Sequence, residues 1–306
     1  MTIYSSASMA ATLIDGKKIA EDIKREVKLE TDKLKIENKI TPGLAFIIVG
    51  ENPASQSYVK MKGKGCDEMG FYSITEKLPA ETTEIQVLQL INQFNLDPKI
   101  HGILVQLPLP KHIDEQKIIA AIDHKKDVDG FHPINIGRMV IGLPCFKPCT
   151  PAGVQELLIR SGNNPSGKHV VIVGRSNIVG KPLANILLQK QKGANAVVTI
   201  VHTGAKDISY FSKQADILIA AMGKPECIAG EMIKPGAVVI DVGINRIEDT
   251  TAKNGYRIVG DVHFESASKV AGAITPVPGG VGPMTIAMVL KNTLLAAKLS
   301  EPLIDH

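Results

Sequence analysis

Residues 171–182 read VIVGRSNIVGKP. A short apolar run ends in glycine and a helix-compatible segment follows at once, so a buried strand is expected to turn directly into a helix. The free amides at the start of such a helix can hold a pyrophosphate. The usual glycine fingerprint for this turn has glycine in the first, third and sixth places. Gly174 takes the first, Ser176 replaces the second, and the last is displaced by one, past Val179 to Gly180. By the fingerprint alone, a plain strand-to-helix turn fits equally well.

The surrounding segments repeat the same alternation. Behind the turn come AVVTIVH (196–202), ADILIAAMG (215–223) and AVVIDVGI (237–244), three more apolar runs of strand length, which predicts a doubly wound, Rossmann-like nucleotide-binding domain over 151–283. Ahead of it, Ile19, Ile23 and Val27 recur every fourth residue on a charged helix, and LAFIIVG (44–50) reads as a buried strand. A helix over 55–69, a strand near 71–78, a helix over 83–95 and a strand at 100–107 complete an N-terminal α/β domain, assigned to 1–150. Strand and helix alternate throughout, so both sheets should be mainly parallel. Between Asp123 and Pro151 no period is sustained, which suggests a functional loop leading to a domain boundary, with a helix at 152–161 beyond it. The final helix, TIAMVLKNTLLAAKL (285–299), is apolar on one side. Residues 284–306 are therefore expected to pack back onto the first domain. No internal repeat stands out.

With 306 residues and 44% hydrophobic content, two cores are affordable, and a net charge of +4 spread among acids argues against a nucleic-acid footprint. No apolar run approaches the roughly 18 residues of a membrane span. The first 15 residues lack a secretion signal and the arginines of a transit peptide. Residues 1–11 read as a loose tail in which Met9 offers a second start. Cys66, Cys145, Cys149 and Cys227 form neither a disulfide framework nor a zinc set, so free thiols in a reducing cytoplasm are expected. No metal is expected either, because no two of the eight histidines sit at helical ligand spacing.

The strand after the glycine turn bears on the cofactor. An NAD site usually has an acid at its end for the ribose hydroxyls, but AVVTIVHTGAK has no carboxylate before Asp207. Arg175 and Thr203 are placed to bind a 2′-phosphate instead, which favours NADP, although an isolated arginine is more commonly a solvated cation.

ITPVPGGVGPMT (274–285) gathers three prolines and three glycines before the last helix, letting the backbone approach a flat ligand closely. PVPGGVGPMT, GRSNIVGKP, VQLPLP (105–110), KDVDGF (126–131) and SQSYVKMKGK (55–64) together resemble the bifunctional methylenetetrahydrofolate dehydrogenase/methenyltetrahydrofolate cyclohydrolase family. The blocks stand in family order, and the similarity runs from about Leu13 to Leu299. The added formate-tetrahydrofolate ligase region of the larger members is not expected within these 306 residues.

The resemblance implies oxidation of 5,10-methylenetetrahydrofolate by hydride transfer to NADP, then hydrolysis of the methenyl cation to 10-formyltetrahydrofolate. It implies Tyr58 stacked on the folate ring, Lys62 as the acid/base residue and Gln106 bonded to it, with Val105 and Leu107 beside them. It further implies Asp129 at the pterin edge, with Pro278, Gly279, Gly280, Val281 and Gly282 as the far wall of that site. Gly174, Arg175, Ser176, Thr203 and Ile244 fall to the cofactor, and a homodimer joined through the nucleotide domains is the family habit. Asp127 is expected to hold its loop, the common use of aspartate in turns.

YVKMKGK (58–64) holds three lysines at alternate positions. Residues four apart share a helix face, so Tyr58 and Lys62 point together, Lys60 projects nearly opposite, and Lys60 and Lys64 are expected to be solvated. A free amine, with a pKa of about 10.4, is a poor base at neutral pH. Burial beside an aromatic ring and a cationic substrate favours a neutral form that can take a proton from water. An RNA-binding module using the three lysines would need stacking aromatics, which make up only 4% of the chain, and it lacks tryptophan. A dehydrogenase that has lost the second step is the nearer rival, and the retained Tyr58, Lys62 and Gln106 speak against it.

Overall fold

The structure, a computed structural model, describes residues 11–251 and 255–300. The tail reading of residues 1–11, apart from Ala11, and the second start at Met9 lie outside the described residues. In chain order the elements are β1 (Thr12–Leu13), α1 (Gly16–Glu37), β2 (Gly43–Val49), α2 (Pro53–Met69), β3 (Tyr72–Leu78), α3 (Glu84–Leu96) and β4 (Gly102–Val105). Then follow α4 (Glu115–Ala121), α5 (Pro133–Val140), α6 (Cys149–Arg160), β5 (His169–Val173), α7 (Gly180–Leu188), β6 (Val197–Val201), α8 (Ile208–Ser212) and β7 (Ile217–Ala220). The last are β8 (Val238–Asp241), β9 (Asn245–Glu248), β10 (Tyr256–Val259), α9 (Phe264–Ala267), β11 (Ala273–Ile274) and α10 (Val281–Leu299).

The chain divides into two compact units. One comprises Ala20–Cys149 and Thr285–His306, built on a three-stranded sheet of order β3-β2-β4 in which both pairings are parallel. All seven residues of β2 are buried, as a central strand covered on both faces requires, and Ile47, Ile91, Ile103 and Ile118 form the core beneath it. Thr83 starts α3 with a capping box closed by Gln86, and Asp114 caps α4 by accepting from the amides of Gln116 and Lys117. At seven residues, α4 is too short to display a period in the sequence.

The other unit comprises Met1–Ile19 and Thr150–Met284, with a six-stranded sheet of order β1-β11-β8-β7-β5-β6, parallel throughout. Strands β5, β7 and β8 supply its buried centre and β6 forms an exposed edge. The α/β class and the parallel sheets expected from strand–helix alternation are borne out.

Three boundaries differ from expectation. The described residues up to Ile19 group with the nucleotide-type unit, because β1 pairs with β11 at Thr12 and Ala273; two residues of strand leave too weak a pattern to read. The segment 123–151 contains α5, started by Pro133 and capped by the His132 ring accepting from the Ile134 amide, where Pro and Gly hide a short helix. Helix α10 begins at Val281, so Gly282 and Pro283 belong to its first turn.

Candidate active site

Helix α2 separates its lysines by burial. Lys62 is only 5% exposed, whereas Lys60 and Lys64 are exposed, the latter within 3.8 Å of Glu68. Val59, Cys66 and Met69 anchor the buried side. Helix α10 packs so closely there that a methyl group on Gly65 would lie 3.2 Å from Leu290. Tyr58 stands one turn before Lys62, half-buried, and burial pushes its phenol up.

At the end of β4, the Gln106 amide hydrogen bonds to the Ile47 carbonyl at 2.8 Å, continuing the sheet past Val105. Its side-chain nitrogen donates to the Leu107 carbonyl at 2.7 Å, which turns the side-chain oxygen toward Lys62 Nζ, 3.2 Å away. A buried ammonium or amine therefore has a fixed polar partner.

The KDVDGF segment lies beside β4 because the Ile103 amide bonds to the Lys126 carbonyl at 2.8 Å and Ile103 bridges to Asp127. Asp127, 1% exposed, holds the turn: its carboxylate accepts from the amides of Gly130, Phe131 and His132 and from the Asn135 side chain. Burial pushes its pKa up, and these donors oppose that rise. Asp129 is thereby left on the Lys62 side. Burial raises its carboxyl too, and the Lys62 charge pulls it down.

Two further residues belong to this cluster. The Cys149 thiol donates to the Val128 carbonyl at 3.2 Å, its backbone amide donates to the Asp129 carbonyl at 3.3 Å, and burial lifts the thiol well above the ordinary range. Asn292 of α10 donates to the carbonyls of Val128 at 2.8 Å and Lys147 at 3.1 Å, tying the last helix to the Asp129 turn. Neither was singled out from the sequence. The signal for Asn292 was there, a polar residue within an apolar helix, and for Cys149 only its place at the end of an irregular run.

In the other unit, Gly174 has φ +139° and a methyl group there would sit 2.1 Å from the Ala221 carbonyl oxygen. One on Gly180 would lie 2.2 Å from the Gly174 oxygen, so these two glycines set the tight turn and the close seat of α7 despite the displaced fingerprint. Ser176 Oγ accepts from the amides of Val179 at 3.1 Å and Gly180 at 3.4 Å. Arg175 and Thr203 are exposed at the ends of β5 and its neighbour β6, and no carboxylate stands between Val201 and Asp207. This donor set fits a phosphate-bearing dinucleotide.

Ile244 follows β8, half exposed, 3.7 Å from where a methyl group on Gly282 would stand. The loops at this sheet end are fixed by buried Asp241, which accepts from the amides of Gly243, Asp261 and Val262 and is pushed up to about 6 by burial. Asp261 in turn accepts from the amides of Met222 and Gly223 and from Asn245. In the Pro278–Gly282 turn, the Gly279 carbonyl accepts from the Lys17 amide at 3.0 Å, and Gly16 approaches the Gly280 oxygen so closely that no side chain fits between them. The structure thus gathers Lys62, Gln106 and Asp129 in one unit, with Tyr58 one helical turn before Lys62. The glycine turn, Ile244 and Pro278–Gly282 belong to the other.

Among the described residues no group of three or more His, Cys, Asp or Glu side chains is placed to hold a metal ion, and no described helix is long and apolar enough to cross a membrane. The family described as "Tetrahydrofolate dehydrogenase/cyclohydrolase, catalytic domain" matches residues 14–129, and its NAD(P)-binding domain matches residues 148–301. The chain belongs to the tetrahydrofolate dehydrogenase/cyclohydrolase family. It is 59% identical to the Bifunctional protein FolD of Moorella thermoacetica over 290 residues, 95% of this chain and 100% of that protein. Its fold is similar to a FolD crystal structure from Campylobacter jejuni, with TM-score 0.89, 49% identity and coverage of 95% and 99% of the two chains. A Trypanosoma brucei FolD, described as complexed with NADP cofactor and inhibitor, has TM-score 0.90 at 41% identity, with coverage of 95% and 99%. The catalytic-domain match contains Tyr58, Lys62, Gln106 and Asp129; the NAD(P)-binding match contains Gly174, Arg175, Ser176, Thr203, Ile244 and the Pro278–Gly282 turn.

Proposed function

We propose that this family member oxidises 5,10-methylenetetrahydrofolate to the methenyl form and hydrolyses that to 10-formyltetrahydrofolate. The observation that carries the second step is the buried Lys62 amine held 3.2 Å from Gln106. Tyr58 supplies the face against which the folate ring stacks, and Asp129 accepts paired hydrogen bonds from the pterin edge. Val105, Gln106 and Leu107 serve the folate, and the family resemblance adds Pro278, Gly279, Gly280, Val281 and Gly282 to the residues that bind it. Gly174, Arg175, Ser176, Thr203 and Ile244 would hold NADP, which would supply the hydride acceptor for the oxidation. In the second step, Lys62 removes a proton from water as its oxygen bonds to the methenyl carbon. The bond from that carbon to N5 then breaks as N5 receives the proton back from Lys62, and the remaining hydroxyl proton is released to solvent as the carbon–oxygen double bond forms, leaving the formyl group on N10. Gln106 keeps the amine aimed while its charge changes.

The exposed Val197 and Ile200 on edge strand β6 support a homodimer joined through the nucleotide-binding units. The four free cysteines support a reducing, cytoplasmic setting. A spectrophotometric assay of methylenetetrahydrofolate with each dinucleotide tests the activity. NADP-dependent appearance and decay of the methenyl species is expected, and Arg175→Ala should raise the KM for NADP about tenfold with little effect on NAD. Failure to form the methenyl species with either dinucleotide would overturn the assignment.

A further inference from the structure

On the face of α2 away from Tyr58 and Lys62 runs a groove of about 630 Å³, floored by Ile48 and Val59 and edged by Ser57, Lys60, Thr75 and Lys77. All these residues lie in one unit. We propose that this groove receives the γ-linked glutamyl tail of a polyglutamylated folate, so that Lys60 and Lys77 select for tail length. The inference rests on the folate activity proposed above.

Charge argues for this occupant. Lys60 and Lys77 are exposed and neither forms an ion pair among the described residues, unlike Lys64 on the same helix. No acid lines the groove. Strand alternation turns Glu76 to the opposite face of β3 from Thr75 and Lys77. The first turn of α2 carries no acid, so the positive end of the helix dipole adds to the two lysines there, with Glu51 the nearest acid before the helix in sequence. A chain of glutamyl residues joined through side-chain carboxyls presents one free carboxylate per residue along a flexible apolar stem. Two ammonium groups over an apolar floor, with Ser57 and Thr75 as hydroxyl donors, suit that chemistry.

Position agrees with charge. Ser57 and Val59 flank Tyr58 in sequence, so the groove and the ring-stacking face share one turn of α2. A helix is about 10–12 Å across with its side chains. The p-aminobenzoyl spacer and first glutamate of a folate stacked on Tyr58 cover that distance, delivering the second and later carboxylates to Lys60 and Lys77.

The test compares 5,10-methylenetetrahydrofolate bearing one and three glutamates in the wild type and the Lys60→Ser/Lys77→Ser double variant. The triglutamate KM in the wild type should be about three- to tenfold below the monoglutamate KM at low salt, the scale of two exposed ion pairs, and the advantage should shrink as salt rises. In the double variant it should vanish while turnover of the monoglutamate is unchanged. Equal KM values in the wild type, or an advantage that survives in the double variant, would overturn the proposal. Monoglutamate turnover reports the folate activity by itself, so a failure there is distinguishable from a failure of the groove.

Discussion

Lys62→Met should leave methenyltetrahydrofolate to accumulate. The substitution keeps a long apolar stem in the buried slot on α2 and removes only the amine, so packing around Val59 and Cys66 is retained. Loss of the proton-transferring group should slow hydrolysis of the methenyl cation by about 10²- to 10⁴-fold. Hydride transfer needs the folate oriented but takes no proton from the protein, and should fall by less than about tenfold. Stopped-flow recording of methenyl formation and decay separates the two rates. With the monoglutamate substrate, Lys60→Met, which alters an exposed side chain on the same helix, should change neither step by more than about twofold. A Lys62→Met enzyme that hydrolyses at a near-normal rate would remove Lys62 from the chemistry.

The second large effect is on stability. Asp127→Ala should destabilise the unit containing β2 and β4 by about 3–5 kcal/mol, read from its denaturant midpoint. The carboxylate satisfies three backbone amides and the Asn135 side chain in a site almost closed to water, and alanine leaves those donors without an acceptor. Relief of a buried charge offsets part of that loss, since burial already pushes this carboxyl up. Asp127→Asn keeps one acceptor oxygen and should cost about half as much. Both variants should raise the KM for the folate, because Asp129 rides on the same turn. An Asp127→Ala midpoint equal to wild type would show that the turn is held by something else.

The main strands were legible because each is a compact apolar run. LAFIIVG is buried along the whole of β2, and HVVIVG yields β5. Elements were missed where length or composition hid them. Strands β1 and β11 are two residues each, the antiparallel β9–β10 pair is polar and short, and α5 lies among prolines and glycines. Helical spacing placed Lys60 and Lys62 on opposite faces, and the family resemblance singled out Lys62 as the one turned to the site. The ties that Asn292 and Cys149 make to the Asp129 turn were not legible, because a contact spanning 164 residues of sequence leaves no local period. Gly180 shows the converse: its place was off the fingerprint, yet close packing on Gly174 gives it the role of the final glycine.

The chemistry rests on where one nitrogen sits relative to a bound folate. A crystal structure with a non-hydrolysable methenyl analogue and NADP measures this directly. Lys62 Nζ and the Gln106 amide should both lie within about 3.5 Å of the one-carbon bridge or of a water poised on it. An analogue bound with Lys62 Nζ turned away, and another side chain at the bridge, would contradict it.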